Sequence, residues 1–161
     1  MILLHGRSEH VEAPDLKRGS ILLLLALAAC SSKNDSAPGI QANDAWVRAT
    51  VPRKSATAAY FTLRNSGGGD RLVGVSTPVG EASLHSTSMD GGVMRMRPLD
   101  SLEIPGGAVV ALKPGGIHVM IVGLNRPLEA GQELPIALKF ERSGTIRVAA
   151  VAKSAAQAME H

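Results

Sequence analysis

The sequence predicts an all-β domain, an antiparallel sandwich or barrel, and three observations carry that reading. Short runs of β-type residues follow one another with no sustained helical period. Turn signals separate them: Asn65-Ser66-Gly67-Gly68-Gly69, Asp90-Gly91-Gly92, Pro105-Gly106-Gly107, Pro114-Gly115-Gly116 and Ser143-Gly144. Within a run, apolar and polar residues alternate, so that Leu134, Ile136, Leu138 and Phe140 share one face of a strand. Eight or nine strands at this spacing fit a sandwich or a barrel.

The chain opens with a different signal. Lys17-Arg18 precedes an apolar run from Ile21 to Ala29, and small residues lead to a cysteine. A basic segment, a short apolar run and a small-residue cleavage point make a secretory signal, and the run is too short for a permanent membrane span. Residues 1–29 are therefore read as a signal peptide. The stretch before Lys17 is longer than such segments usually are, which points to a translation start nearer Leu16. Leu27-Ala28-Ala29-Cys30 resembles a bacterial lipobox, which implies cleavage before Cys30 and lipidation of its sulfur. Residues 30–43 then read as a lipidated cysteine and a small, polar, flexible tether.

The folded domain is expected over residues 44–151. Its strand-like runs are Ala45–Ala49, Ala58–Arg64, Arg71–Ser76, Ala82–Met89 and Val93–Pro98, then Ala108–Leu112, Ile117–Leu124, Leu134–Glu141 and Thr145–Val151. Residues 152–161 form a C-terminal tail, with Ala149–Ala158 open to a short helical or frayed ending. Met159 and His161 lie at its end, where a disordered terminus is the ordinary reading.

Composition narrows the function. The chain carries a formal charge of +3, but its basic residues are scattered singly, which argues against a nucleic-acid footprint. Aromatic residues make up 2% of the chain, too few for stacking platforms on single strands. With Cys30 as the single cysteine, no intrachain disulfide and no blue-copper centre built on a thiolate is available. No Ser–His–Asp or paired-carboxylate set stands out, so a binding protein is expected rather than an enzyme.

One window concentrates chemistry. Beyond Cys30 the chain has five methionines and three histidines, and four of those methionines and two of those histidines fall between His85 and Met120. Thioether and imidazole donors suit a soft, monovalent ion such as Cu(I) and suit hard cations poorly. If Asp90-Gly91 forms a two-residue type I′ turn, the hairpin places His85 opposite Met96 and Thr87 opposite Met94 on one face. A different loop would shift that register. His118 and Met120, two residues apart, share a strand face, while Ile117, Val119 and Ile121 turn the other way toward a core. Two His/Met pairs thus offer two nitrogens and two sulfurs. Met89 and Met94 are read as core or accessory neighbours, because a methionine in a β-domain most often fills packing gaps.

The spacing His85-x₁₀-Met96-x₂₁-His118-x-Met120 resembles the signature H(M)-x₁₀-M-x₂₁-H-x-M of the PCuAC copper chaperones, with Ser86 at the optional methionine. The flanks Ala45-Trp46-Val47-Arg48-Ala49, Ala59-Tyr60-Phe61-Thr62-Leu63-Arg64-Asn65 and Leu112-Lys113-Pro114-Gly115-Gly116-Ile117-His118 are similar to the family as well. The resemblance implies a cupredoxin-like β-barrel holding one Cu(I) through His85, Met96, His118 and Met120. It also implies delivery toward the CuA centre of a haem-copper oxidase, with a Sco-type protein as a further partner. A membrane-anchored, periplasm-facing monomer is expected. The competing reading is a structural envelope lipoprotein in which the His/Met pattern is incidental.

Overall fold

The computed structural model describes residues 37–51 and 54–159. Cys30, the apolar run before it and His161 lie outside the described residues. The ten strands are β1 (Ile40–Arg48), β2 (Ala56–Asn65), β3 (Asp70–Ser76), β4 (Glu81–Asp90) and β5 (Val93–Leu99), then β6 (Leu102–Ile104), β7 (Val109–Leu112), β8 (Ile117–Val122), β9 (Glu133–Phe140) and β10 (Thr145–Lys153). They form one hydrogen-bonded sheet in the order β5-β4-β8-β2-β1-β10-β9-β3-β6. The free side of β2 is divided: β8 pairs with Ala56–Ala59 and β7 with Phe61–Arg64. No helix among the described residues is long and apolar enough to cross a membrane.

Alternation builds the core in rows. Leu84 of β4 faces Val119 of β8, Val119 faces Ala59 of β2, Ala59 faces Val47 of β1, and Val47 faces Ala152 of β10. All five are buried in one cluster with Leu134, Ile136, Leu138 and Phe140, the four residues whose shared face was expected from sequence. Removing this apolar surface from water supplies the main stabilising term, of order 1.5–3 kcal/mol for each large side chain. Ile117, Val119 and Ile121 also join the cluster as anticipated.

Four features depart from the sequence reading. β1 starts at Ile40, inside the stretch read as tether, because its first residues pair with the end of β2 from Asn65 to Thr62. β1 also runs parallel to β10, an exception to an otherwise antiparallel sheet. The short strand β6 pairs with the start of β3 and carries no strand signal in the sequence, because three residues are too few to show alternation. The tail continues β10 to Lys153 and ends in a 3-10 turn at Gln157–Met159. Ser154 and Gln157 close that turn reciprocally, since each backbone N–H reaches the other's side chain.

A bulge in β1 sets which face its residues meet. The pairing slips by one between Asn43 and Trp46, and Asp44 sits there at φ 55°. Aspartate tolerates this left-handed conformation better than most residues. Without the slip, Trp46 would stand opposite Ala59 and enter the core. With it, Val47 takes that place and Trp46 joins Tyr60 on the outer face.

The β4–β5 hairpin turns through Gly91-Gly92, not Asp90-Gly91. Asp90 pairs with Val93, Met89 with Met94, Thr87 with Met96 and His85 with Pro98. A type I′ turn needs positive φ at both central residues, and Gly91 and Gly92 supply 57° and 81° without a side-chain penalty. Pro98 favours the same outcome. Closing the hairpin on Asp90 and Val93 makes every second pair non-hydrogen-bonded, His85–Pro98 included. The Asp90-Gly91 turn would instead have asked Pro98 for an N–H it lacks. Replacing Gly92 by Val is expected to cost about 1–2 kcal/mol by forcing a β-branched residue to positive φ, whereas Gly91→Asn should be close to neutral. Thermal denaturation of the two variants tests this.

Candidate metal centre

The row beside the core row carries the chemistry. His85 of β4 pairs with His118 of β8, and their ring centroids lie 6.1 Å apart. Tyr60 of β2 follows at 6.2 Å from His118, and Trp46 of β1 at 4.4 Å from Tyr60. Four rings thus line one row across four strands, on the face opposite Leu84, Val119, Ala59 and Val47. One step along β8, Met120 pairs with Ala58 on one side and Ser83 on the other.

Met94, Met96, His118 and Met120 line a cleft of about 370 Å³, together with Thr87, Tyr60 and Arg48. His85 is not among the cleft's lining residues; it stands next to His118 across the β4–β8 ladder. The structure therefore brings three of the four expected donors to one cavity and the fourth against one of them. The two-residue change in hairpin register preserves this, because a shift of two keeps every side chain on its face. It does place Met96 opposite Thr87 rather than His85.

The turn before β8 orients His118. Lys113-Pro114-Gly115-Gly116 closes with the Gly116 N–H donating to the Lys113 carbonyl at 3.0 Å. Proline second and glycine third, with Gly115 at φ 75°, is the type II pattern. The Gly116 carbonyl then accepts two bonds, from the Thr87 N–H and from His118 Nδ1, each at 3.1 Å. A carbonyl can only accept, so Nδ1 of His118 carries a proton, and in the neutral tautomer Nε2 keeps the lone pair. His118 is 4% exposed, so this orientation is held by packing as well.

His85 Nε2 lies 3.0 Å from Ser83 Oγ. Its Nδ1 is the one buried side-chain nitrogen or oxygen without a hydrogen-bond partner among the described residues. When Nε2 donates to Ser83, that Nδ1 presents an unused lone pair. Leaving such an atom buried and unpaired is costly, so it calls for an explanation such as an ion. Among the described residues, no group of three or more His, Cys, Asp and Glu could hold a metal, which leaves thioethers to complete any donor set here.

Other expectations fare differently. Met89 and Met94 are both 66% exposed, so neither is core; Met94 lines the cleft and Met89 faces Met94 at the hairpin tip. Met159 is also exposed, although Ala158 beside it packs on Trp46 and Tyr60. The aromatic wall was not anticipated as part of the site. Its signal was present in β2, where Ala59, Phe61 and Leu63 turn inward and so send Ala58 and Tyr60 outward, but the β1 bulge hid Trp46. Burial pushes the Tyr60 phenol above its ordinary range, with the Arg48 charge pulling the other way, so the wall stays neutral.

A β-domain with a soft-donor cleft on its outer face is the class that fold and site define, and solved PCuAC domains share that architecture. The copper-bound PCuAC domain from PmoF2 is 25% identical, with a TM-score of 0.62 over 73% of this chain and 96% of its own. DR1885 of Deinococcus radiodurans in its CuI form is 33% identical, with a TM-score of 0.54 over 82% of this chain and 87% of its own. The family model described as "Putative lipoprotein LpqE-like" matches residues 40–152, and the chain belongs to that family. A relative, "Putative lipoprotein Lxx21020" of Leifsonia xyli subsp. xyli, is 33% identical over 150 residues, covering 86% of this chain and 89% of its own length.

Proposed function

We propose that this protein is an envelope Cu(I) carrier, a lipoprotein anchored through Cys30 that holds the ion with His85, Met96, His118 and Met120. The observation that carries the reading is the convergence of Met96, His118 and Met120 on one cleft, with the unpartnered His85 Nδ1 beside His118. Two imidazoles and two thioethers give a neutral donor set that favours Cu(I) over harder ions. The protein need supply no redox chemistry, because the ion enters and leaves as Cu(I). Copper in the similar PmoF2 and DR1885 structures supports the same cargo, and the lipoprotein relatives support the anchor. In this reading the recipient is an envelope copper protein, with the CuA centre of a haem-copper oxidase and a Sco-type thiol protein as the first candidates.

Titration of the domain with Cu(I) against a chromogenic competitor is expected to show one tight equivalent. Cu(II) should give no persistent blue colour, since no thiolate is present beyond Cys30. Absence of a tight Cu(I) equivalent would overturn the reading.

A further inference from the structure

We propose that Met89 and Met94 form a second, weaker Cu(I) station at the tip of the β4–β5 hairpin, through which the ion enters and leaves the cleft. This rests on the carrier reading and extends it from holding the ion to exchanging it. Three observations support it.

The first is exposure. Large apolar side chains are usually withdrawn from water where packing allows, yet Met89 and Met94 are each 66% exposed and Met96 is 49% exposed. The second is pairing. Met89 faces Met94 directly, in the first pair beyond the Asp90–Val93 closure. That position is non-hydrogen-bonded, where opposed side chains come closest. Two thioethers at cross-strand separation can both reach one soft ion. The third is continuity. Met94 belongs to both places, facing Met89 at the tip and lining the cleft with Met96, His118 and Met120. Met94 and Met96 lie two residues apart on one strand face, a step of about 7 Å.

The surroundings of the tip suit exchange. β5 is an edge strand and is exposed along nearly its whole length. Among the described residues, nothing lies within 4 Å of where a side chain would begin at the turn glycines Gly91 and Gly92, which leaves the tip open to an incoming donor. Near the tip the charged side chains occupy the other face, where Arg95 bridges to Asp90 at 3.2 Å. Two neutral sulfurs bind Cu(I) more weakly than a set that also includes imidazoles. The ion therefore passes inward as His118 and Met120 replace Met89 and Met94, and outward when a partner's two donors displace that pair at the tip. No electron moves, and each bond to copper broken is matched by one formed.

The experiment compares the wild type with Met89→Leu, which keeps apolar bulk at an exposed position outside the cleft and should fold normally. Methionine methyl resonances are followed while Ag(I), a closed-shell probe for Cu(I), is added beyond one equivalent. The Met89 and Met94 methyls should shift together in a second, weaker step. Stopped-flow loading from a Cu(I)–chelator complex should slow by about fivefold in Met89→Leu, while equilibrium affinity stays within about twofold. Unmoved Met89 and Met94 methyls, or an unchanged loading rate, would overturn the station. A parallel collapse of affinity would also overturn it, by making Met89 a ligand of the tight site. Repeating the Ag(I) titration in His118→Ala separates the two proposals, because the tip pair should still respond when the tight site is gone.

Discussion

His118→Ala is expected to weaken Cu(I) binding by about 100-fold or more, the upper end of what losing a group that merely orients a ligand costs. The argument is geometric. His118 is almost wholly buried, its Nδ1 is committed to the Gly116 carbonyl, and its Nε2 is left as a donor at the cleft wall shared by Met96 and Met120. Alanine removes that donor and opens space beside Tyr60, and no other described histidine except His85 stands near enough to replace it. Competition with a chromogenic Cu(I) chelator measures the loss, and circular dichroism checks that the sheet survives. Unchanged affinity in a folded variant would remove His118 from the proposed site. Met120→Ala should act in the same direction with a smaller effect, because a thioether is a weaker donor than an imidazole and Met96 and Met94 line the same cleft.

Much of this geometry could be read from the chain, for physical reasons that differ from residue to residue. The alternation of Leu134, Ile136, Leu138 and Phe140 was decisive because strand side chains repeat every two residues, so the buried face announces itself. His118 and Met120 were assigned to one face by the same rule. The hairpin register was harder. Asp-Gly is a favoured type I′ pair, but Gly-Gly satisfies both positive-φ positions at no cost, and the two-residue difference leaves the side-chain faces unchanged. The proline at position 98 held the deciding information, because its missing N–H permits one register and penalises the other.

Other features were beyond the reach of pattern. The parallel pairing of β1 with β10 joins segments about a hundred residues apart, and local sequence says nothing about such a neighbour. The same holds for the aromatic wall: a one-residue bulge at Asp44 decides whether Trp46 enters the core or stands beside Tyr60. Bulges depend on the partner strand as much as on their own residues. Met89 and Met94 read as core or accessory neighbours because methionine is ordinarily a core filler, and their exposure removes the core half of that reading. Only the edge position of β5 shows that no described strand covers them.

Asp70→Ala is expected to do the reverse of His118→Ala, lowering stability by about 2–4 kcal/mol while leaving Cu(I) affinity unchanged. Asp70 is buried at the start of β3, paired with the end of β6. Its carboxylate accepts the N–H groups of Arg71, Arg142 and Ser143 and the Ser143 hydroxyl, tying β3 to the β9–β10 loop. None of these residues lines the cleft. Burial on its own would raise the Asp70 pKa, but the combined hydrogen bonds from Ser143, Arg142 and Arg71 outweigh it and hold the group below the ordinary value of 3.8. A carboxyl whose folded value is depressed stabilises the fold fully above its unfolded value, and that contribution fades as pH falls through the lower folded value. Asp70→Asn keeps the shape but turns an N–H-bearing amide toward Ser143, so it should lose most of the same stability at neutral pH. Urea denaturation of wild type and Asp70→Asn should therefore give a gap that is constant near neutral pH and narrows below about 3.8. The absence of a gap at neutral pH would show that the latch acts through shape rather than charge. A change in Cu(I) affinity would show that the β3 end of the sheet and the cleft are coupled.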